Sequence, residues 1–458
     1  MTFIPNSPEA RDVASQLHGY TNMRALEQTG PMMLTTGKGI YVTDNAGNEY
    51  LEAMSGLWCA SLGFGEERLV RAATEQMQKL PYYHTFNGRT TDISMELAEK
   101  LLEVSPVEMS KAFFCNSGSE ANDTAIKFIW YYNNALGRPE KKKIISRVKG
   151  YHGVTLAAAS MTALPNNQRD FDLPFSMFRH TTCPHHYRFA HDGETEEQFA
   201  SRCATELEAL ILEEGPDTVA AMFCEPIMGA GGVIVPPATY YEKIQAVLNK
   251  YDVLLVADEV ICGFGRTGEY WGTQTFNMKP DILTCAKALS GAYIPISAVL
   301  INDKIYQALA DNSKKIGVLG HGYTYSGHPV GCAVAFETLK IYEETNMVGH
   351  VQSVMDHFQT QLRTVLDRPF VGEVRGKGLV GAFELVADKA TKRSFDPTQG
   401  AGKVIERVTV EQGLIIRAIG DNIAFCPPLI ISREQIDEMM EKLHRALDAA
   451  EPELAALV

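Results

Sequence analysis

The sequence has no excess of basic residues and no long run of apolar residues. Its 458 residues include 42 Lys and Arg against 56 Asp and Glu, which gives a formal net charge of −14. A surface of that sign repels phosphate backbones and anionic lipid headgroups, so we expect neither nucleic acid nor a membrane as a partner. The longest uninterrupted apolar stretches, such as residues 253–257, are far shorter than the roughly 18 residues that indicate a membrane span.

Cysteine occurs nine times, an odd number, and no two cysteines have the C-x-x-C spacing. This usage is typical of free thiols in a reducing compartment and predicts a cytoplasmic protein without a disulfide framework. The first six residues have no basic region followed by an apolar core, so no secretory signal is expected. Cys183-Pro-His185-His186, with His191 nearby, lacks a second ligand pair at a zinc-finger spacing, which predicts a loop with incidental histidines and no metal.

Between about residues 95 and 300, short apolar runs alternate with helical patterns at 120–134, 197–213 and 239–250. Several of the runs are apolar throughout, as expected for parallel strands covered on both faces, and the alternation predicts an α/β fold. The predicted strands are Ala112–Cys115, Lys143–Val148, Val219–Cys224, Val253–Ala257, Ile282–Cys285 and Pro295–Ile301.

The last 130 or so residues have a different pattern. Helical stretches at 329–345, 348–366, 400–412 and 433–448 enclose short strands near 370–386, 414–417 and 422–426, which predicts a smaller α+β domain. Residues 40–52 read as a hairpin whose turn is Asn-Ala-Gly-Asn, although the spacing does not tell where this hairpin docks.

Ligands of an open parallel sheet bind outside the carboxyl ends of its strands, and three strand ends carry chemistry. In the first, Ser117 with Glu120 predicts a capping box that opens a helix, and Gly118 allows an anion to approach the backbone. Free N–H groups, hydroxyls and the helix dipole then make a phosphate site, or else the segment is a routine strand-to-helix turn.

The second strand end is Asp258-Glu259, where a carboxylate at the tip of a buried strand needs a cation or a donor. Asp258 could also cap the next loop, or belong to the metal-binding strand of an ATPase. The ATPase reading needs a G-x-x-x-x-G-K-[ST] loop, and the nearest match, residues 372–378, has a short spacer and glycine in place of Ser or Thr. That reading is rejected.

The third strand end carries Lys287 among small residues. A lone lysine usually extends to water and is structural, whereas burial would lower its pKa and free the amine for Schiff-base chemistry. An anion site, an aspartate and a lysine at three strand ends together match pyridoxal phosphate (PLP), because that cofactor needs a phosphate site, a Schiff-base lysine and an acid against its pyridine nitrogen.

With these residues in place, the chain resembles the class III (ω-) aminotransferases of the fold-type I PLP enzymes over nearly its whole length. Among them it is most similar to the pyruvate-using enzymes that act on ω-amino acids and amines. The resemblance is carried by Gly56-Leu57-Trp58, Asn116–Asp123, Tyr151-His152-Gly153, Glu225–Gly229, Asp258–Gly268, Lys287, His321–Pro329 and Arg417.

The resemblance implies a large domain (56–328) with a mostly parallel seven-stranded sheet between helices, a small α+β domain (329–458), and an N-terminal segment (1–55) packing with the small domain. It also implies that Lys287 forms the Schiff base and Asp258 holds the pyridine nitrogen. The other implied cofactor residues are Ser117, Gly118 and Ser119 near the phosphate, Tyr151 on one ring face, Val260 on the other, His152, Glu225 orienting Asp258, and Thr324 reaching the phosphate of a neighbouring subunit.

The family likeness further implies an obligate homodimer with shared active sites, with a tetramer left open. The implied substrate pocket is lined by Tyr20, Leu57, Trp58, Phe86, Tyr151 and Arg417. Taken alone, Tyr151 and Trp58 could be core aromatic residues, Glu225 a strand-end cap, Thr324 a loop hydroxyl and Arg417 a solvated arginine.

The hypothesis is ping-pong transfer of an amino group from an ω-amino acid or primary amine to pyruvate, giving an aldehyde or ketone and L-alanine. Arg417 is the candidate for pairing the carboxylate of the keto acid. A 2-oxoglutarate-dependent ω-aminotransferase, or an aminomutase, racemase or decarboxylase, uses the same cofactor and stays open, as does a scaffold that has kept the fold without the activity. The donor also stays open among taurine, β-alanine, diamines and arylalkylamines.

Overall fold

The computed structural model describes residues 3–458, so the first two residues of the predicted N-terminal segment, and of the stretch inspected for a secretory signal, lie outside the described residues. In chain order the strands are β1 (Leu34–Lys38), β2 (Tyr41–Asp44), β3 (Glu49–Glu52), β4 (Lys111–Cys115), β5 (Lys143–Arg147), β6 (Phe178–Thr181), β7 (Val219–Cys224), β8 (Leu254–Asp258), β9 (Ile282–Cys285), β10 (Ser297–Ile301), β11 (Val371–Lys377), β12 (Val380–Leu385), β13 (Leu414–Ile415), β14 (Arg417–Ile419) and β15 (Asn422–Phe425).

The helices are distributed along the whole described chain. They are α1 (Pro8–Ser15), α2 (Met23–Thr29), α3 (Ser55–Trp58), α4 (Glu67–Lys79), α5 (Asp92–Glu103), α6 (Gly118–Ala135), α7 (Leu156–Met161), α8 (Pro165–Gln168), α9 (His186–Phe189), α10 (Glu196–Glu214), α11 (Tyr240–Lys250), α12 (Gly272–Thr275), α13 (Asp303–Ile316), α14 (Pro329–Glu344), α15 (Met347–Arg363), α16 (Ala401–Glu411) and α17 (Arg433–Ala455).

A seven-stranded sheet of order β4-β10-β9-β8-β7-β5-β6 forms the centre of the molecule. Its strands pair in parallel except that β10 runs antiparallel to both β4 and β9. This confirms the predicted α/β class and the mostly parallel sheet. The residue patterns did not reveal β6, because this edge strand reads Phe-Arg-His-Thr and is only partly buried.

Helices cover both faces of this sheet. Helix α6 packs on strands β4, β7, β9 and β10, with its apolar side chains in a core that includes Phe128, Ile144 and Val256. On the opposite face, α10 and α11 share a second core with Met222 and Leu255. Each face of β7 and β8 is therefore buried, which explains why these strands are apolar throughout.

A second sheet, of order β11-β12-β15-β14, is antiparallel and lies with helices α15, α16 and α17 near the C-terminus. Residues 372–378, which imperfectly matched a phosphate loop, lie in the β11–β12 hairpin. A hairpin strand presents paired N–H groups instead of a nest of free ones, in agreement with the rejection of that reading. Helix α17 runs seven residues beyond the predicted end at 448, through Pro452.

The predicted N-terminal hairpin is strands β2 and β3, which pair antiparallel. These strands belong to a third sheet of order β1-β2-β3-β13. In it, β3 pairs in parallel with β13, so that Leu51 lies opposite Leu414 and Glu52 opposite Ile415. The hairpin is therefore joined to the C-terminal part of the chain next to Arg417. The exact domain boundaries at residues 55 and 328 stay a prediction.

No helix among residues 3–458 combines the length and the apolar character that crossing a membrane requires. All nine cysteines lie within these residues, and none of them is disulfide-bonded. Cys115, Cys224, Cys262 and Cys285 are buried, as is typical of small core residues.

Candidate active site

The carboxyl ends of two neighbouring parallel strands bring the candidate lysine and aspartate together. Strand β8 ends at Asp258, and its register partner on β9 is Thr284, three residues before Lys287. Helix α6 lies across β9 and contributes its N-terminus to the same edge of the sheet. The three strand ends selected from the sequence therefore form one site, as the open-sheet rule predicts.

Lys287 has features of a residue held for chemistry. Its backbone is left-handed, with φ of +51°, a conformation that non-glycine residues rarely adopt outside functional sites. No hydrogen bond or ion pair within residues 3–458 engages its amine. Burial lowers the pKa of Lys287, and the nearby Cys59 thiol and Asp258 carboxylate oppose that effect. The amine is thus closer to its reactive neutral form than an exposed lysine is.

The Asp258 carboxylate is held by a set of donors that the sequence analysis did not identify. Its Oδ2 accepts hydrogen bonds from Asn122 Nδ2 and from His152 Nδ1, each at 2.8 Å. Its Oδ1 accepts one longer bond, at 3.2 Å, from the N–H of Val260. The buried carboxylate therefore has a saturated oxygen and one that retains capacity for a further donor.

The N-terminus of α6 forms the predicted anion cradle with one correction. Ser117 Oγ caps the helix by accepting from the N–H of Glu120 at 3.2 Å. In a complete capping box the Glu120 carboxylate would accept from the N–H of Ser117. Here it accepts from the N–H and the side-chain amide of Asn116, one residue earlier. Because Ser117 Oγ only accepts as a cap, its O–H is still available, and this hydroxyl and the first-turn N–H groups of Gly118 and Ser119 are the donors available to an anion.

Close contacts make this cradle intolerant of larger side chains. A Cβ at Gly118 would lie 3.1 Å from the Val260 side chain, so Val260 packs directly on the cradle. At Gly153, whose φ is +127°, a Cβ would lie 2.4 Å from Ser119 Oγ. The same hydroxyl accepts from the N–H of Val154 at 3.1 Å. The loop after β5 therefore braces the first turn of α6.

Glu225 makes its side-chain hydrogen bonds to the main chain of neighbouring loops, and none to Asp258 within the described residues. Its carboxylate accepts from the N–H of Tyr151 at 2.9 Å and from the N–H of Gly229 at 3.1 Å. It thereby fixes the loop that carries Tyr151, whereas Asn122 and His152 are the side chains that donate hydrogen bonds to Asp258. Burial raises the pKa of Glu225, an effect that the nearby charge of Arg147 opposes.

Tyr151, Tyr20 and Arg417 lie in one group. Burial raises the pKa of Tyr151, a hydrogen bond with Tyr20 raises it further, and the positive charge of Arg417 acts in the opposite direction. Asn167 donates to the Tyr20 hydroxyl and so ties the N-terminal segment to the large sheet. The structure therefore brings a candidate ring-stacking residue and two candidate substrate residues together, from three distant parts of the sequence.

Leu57 and Trp58 lie on a strained loop. Ser55, Gly56 and Trp58 all have positive φ, at +50°, +64° and +64°. Trp58 is buried in an apolar cluster. The cluster contains residues from the loops after β7 and β8 and residues from β12 and β15. Leu57, by contrast, is exposed. Glu52 holds the loop, since its carboxylate accepts from the N–H of Met54 and of Gly56.

Phe86 and Thr324 lie on two segments, 82–86 and 322–326, that pack side by side. A Cβ at Gly322 would lie 2.5 Å from the Phe86 ring, and Tyr82 Oη donates to the carbonyl of Thr324 at 2.8 Å. The Thr324 side chain is exposed in the single chain, as are Tyr82, Phe86 and Tyr325. This aromatic surface borders the start of α6, because Tyr323 Oη donates to the carbonyl of Glu120.

Asn122 and Glu52 are the polar residues of this region that the sequence analysis missed. A signal for Asn122 was present, since it is a polar residue at helical spacing from the buried apolar residues Ala125, Ile126 and Ile129. Glu52 ends a strand in the same way as Asp258 does. No sequence pattern showed that its partners would be backbone N–H groups of its own loop.

The histidine loop also has partners that sequence spacing could not show. His185 lies close to the carboxylates of Glu373 and Glu384, which belong to β11 and β12. The Arg375 guanidinium contacts Glu373 at 2.6 Å and Glu384 at 3.0 Å, and Arg188 contacts Glu384 at 2.6 Å, so two cations face the two acids. The cluster therefore reads as an ion-pair network between the C-terminal sheet and the central part of the chain.

The residues present fit PLP. Asp258 Oδ1 has capacity for a ring N–H, Lys287 has an unengaged amine, and the start of α6 offers free N–H groups beside two small residues. Val260 borders the cradle and the loop carrying Tyr151 lies nearby, so apolar and aromatic surfaces are available for the ring. His152 contacts Asp258 through Nδ1, and its place among the cofactor residues stays a prediction.

Comparison with known proteins agrees with this assignment. The family model for "Aminotransferase class-III" matches residues 23–447. The chain is 51% identical over 422 residues to gamma aminobutyrate transaminase 3, chloroplastic, of Solanum lycopersicum. The match covers 92% of this chain and 81% of that protein.

Two solved structures are similar over nearly the same extent. The omega transaminase of Pseudomonas jessenii in complex with PMP has a TM-score of 0.97 at 53% identity and covers 98% of this chain and 99% of its own. A transaminase with L-alanine has a TM-score of 0.91 at 56% identity and covers 92% of this chain and 100% of its own. The chain therefore belongs to the class III aminotransferases, has the fold-type I architecture of that family and uses PLP.

Proposed function

We propose that the protein transfers an amino group from an ω-amino acid or primary amine to pyruvate in a ping-pong reaction. The observation that carries the proposal is the unengaged, pKa-lowered amine of Lys287 one strand away from Asp258. When bound, PLP supplies an aldehyde for the amine and a ring that accepts the electrons released at the substrate carbon.

The residues of the chain supply binding and proton transfer. With PLP bound, the Lys287 Nζ would accept the proton that leaves the substrate carbon and donate a proton to the cofactor, a positioned-base effect worth roughly 10²–10⁴-fold. Asp258 Oδ1 would accept the N–H of the ring nitrogen. The start of α6 would hold the phosphate, and the loop fixed by Glu225 would supply Tyr151 as an aromatic surface for the ring.

Arg417 is proposed to pair the carboxylate of the keto acid. It lies on β14, close enough to Tyr151 for its charge to oppose the burial-driven rise in the pKa of that hydroxyl, and no ion pair within the described residues engages it. Its planar fork suits a carboxylate. Because an unpaired arginine facing an apolar amine is costly, we expect it to turn outward, towards the nearby Glu406, when such a donor binds.

Pyruvate is favoured as acceptor because a similar transaminase is known with L-alanine, the amino acid that pyruvate becomes. The names of the plant relatives favour γ-aminobutyrate as a second candidate donor, since this is also an ω-amino acid. Pyruvate, as the acceptor, and γ-aminobutyrate, as a donor, each carry a carboxylate that Arg417 could pair.

We also propose a homodimer with shared sites. The support is the exposed aromatic surface formed by Tyr82, Phe86 and Tyr325 around the exposed Thr324. Such surfaces mark protein interfaces, and here the surface borders the cradle. A reducing, cytoplasmic location is supported by nine unpaired cysteines.

The experiment that tests the proposal is a panel of donors against two acceptors. Taurine, β-alanine, γ-aminobutyrate, a diamine and 1-phenylethylamine are each offered with pyruvate or 2-oxoglutarate, and alanine or glutamate is quantified. Alanine formed in equal amount to the consumed donor supports the proposal. Glutamate formation would show the 2-oxoglutarate enzyme, and product without alanine or glutamate would show a mutase, racemase or decarboxylase.

A further inference from the structure

Asn122 is a buried side chain that joins three parts of the active site. It lies on α6, four residues after the cradle, and is 1% exposed. Its Nδ2 donates to Asp258 Oδ2 at 2.8 Å and to the carbonyl of His152 at 2.7 Å, and its Oδ1 accepts from Thr284 Oγ1 at 2.9 Å. The helix, the loop before Gly153 and the strand that leads to Lys287 all meet at this amide.

These partners determine which way the amide points. A carboxylate and a backbone carbonyl can only accept, so the two N–H groups of Asn122 must face Asp258 and His152. Its oxygen is then left for the Thr284 hydroxyl. All the hydrogens of the amide are used, and a flipped amide would place its oxygen against two acceptors.

The consequence for Asp258 is an asymmetry between its two oxygens. Oδ2 accepts from Asn122 and from His152, whereas Oδ1 accepts one longer bond from the N–H of Val260. A carboxylate rotates freely about its last bond unless donors hold it, and two donors converging on the same oxygen fix that rotation.

We propose that Asn122 is a positioning residue for Asp258: it locks Oδ2 so that Oδ1 faces the pyridine nitrogen of PLP. The role rests on the cofactor that the family uses and is independent of which amine and keto acid are the substrates. Without Asn122, His152 would be the only side chain that donates to Oδ2, and the longer bond from the N–H of Val260 would be the only other restraint. The carboxylate would then be freer to turn away from the ring nitrogen.

The test compares two asparagines of the same helix. Asn133 also lies on α6 and is 1% exposed, but its Nδ2 donates to the carbonyl of Ile129 within the helix. Asn122→Ala and Asn133→Ala therefore leave similar cavities in the same element. PLP dissociation constants are measured by titrating the apo forms of both variants and of the unmodified protein.

We expect Asn122→Ala to bind PLP about tenfold more weakly than Asn133→Ala, since a charge-assisted hydrogen bond is lost. The absorbance of the lysine-linked cofactor is also titrated against pH, and we expect the midpoint of this titration to move to higher pH. A ring nitrogen that is less firmly protonated withdraws less electron density from the linked nitrogen, which therefore keeps its proton to a higher pH. A general loss of packing would weaken both variants alike and leave that midpoint unchanged.

Thr284→Val keeps Asn122 and removes the donor to its oxygen, so it gives a second measurement if Asn122→Ala fails to fold. We expect a smaller shift in the same two quantities. Equal PLP affinities and equal midpoints for the Asn122 and Asn133 variants, or no change in Thr284→Val, would overturn the proposal. Because both readouts concern the resting holoenzyme, they are unaffected if the substrates proposed above are wrong.

Discussion

Asp258 and Thr284 are register partners across the parallel strands β8 and β9. Because β9 ends one residue after Thr284, its chain turns left-handed at Lys287 within reach of the charge of Asp258. Strand pairing thus places the two reactive groups side by side, and the helix lying over β9 brings the anion cradle to the same edge.

Replacing Lys287 with alanine should abolish amino transfer while PLP still binds through the cradle and Asp258. The loss should be at least about 10²–10⁴-fold, the range of a positioned base. Alanine production from pyruvate measures it, and borohydride reduction with peptide mapping should label Lys287 in the unmodified protein. Lys279→Ala, at an exposed position, is the control. Retained transamination, or a label on another lysine, would contradict the assignment.

Replacing Arg417 with alanine should raise the KM for pyruvate about 10–100-fold, as expected for a lost hydrogen-bonded charge pair. Donors with a carboxylate, such as β-alanine, should lose affinity in the same way, whereas the KM for 1-phenylethylamine should change little. Arg417→Lys keeps the charge without the fork and should fall between the two. Equal effects on all donors would show that Arg417 does not select carboxylates.

Glu52 should make folding stability depend on pH. Burial raises its pKa from the ordinary 4.5 to about 7, so the folded state holds its proton more tightly than the unfolded state. Stability should therefore decline as pH rises from 4.5 to about 7, by about 3 kcal/mol in total, and then level off.

This decline is measured as the difference in unfolding free energy between the unmodified protein and Glu52→Gln at each pH. Glu49→Gln, on the same strand with an exposed side chain, is the matched control. A pH-independent difference for the Glu52 variant would show that Glu52 does not carry the effect.

Replacing Gly153 with alanine should damage the phosphate cradle, because the added Cβ would lie 2.4 Å from Ser119 Oγ at a backbone φ of +127°. We expect PLP affinity to fall by about tenfold or more, as overpacking typically costs 1–3 kcal/mol. Gly47→Ala has a positive φ and open space around its Cβ, so it separates backbone strain from the clash. Equal PLP affinity in the two variants would argue against the clash.

If Thr324 acts on the neighbouring subunit, two inactive variants should complement each other. Thr324→Asp would repel the phosphate and Lys287→Ala lacks the amine, but a mixed dimer contains one site with neither defect. Random mixing should restore about a quarter of normal activity, since half of the dimers are mixed and half of their sites are intact. No activity in the mixture would place Thr324 in its own subunit's site.

Much of the fold followed from sequence patterns because burial on both faces leaves strands continuously apolar. Strands β7, β8 and β9 were found for this reason, whereas the polar edge strand β6 was missed. Asp258 and Lys287 were likewise found because a charged residue directly after such a run is unusual.

Other parts of the site depend on contacts between distant segments. Sequence reasoning did not show that the Glu225 carboxylate bonds to the main chain of Tyr151 and Gly229, and its predicted effect on Asp258 stays a prediction. The donors that hold Asp258 come from a helix and a loop that start more than 100 residues earlier. Sequence spacing contains no information on such pairs.

The sequence by itself determined the α/β class and the three chemical groups at the strand ends, since hydrophobic periodicity and residue type are local properties. Tertiary structure alone decided which oxygen of Asp258 is left for the cofactor, and that Tyr20, Tyr151 and Arg417 lie in one group. The physical reason is that hydrogen-bond direction and side-chain proximity depend on how strands pair and helices pack, which no local pattern encodes.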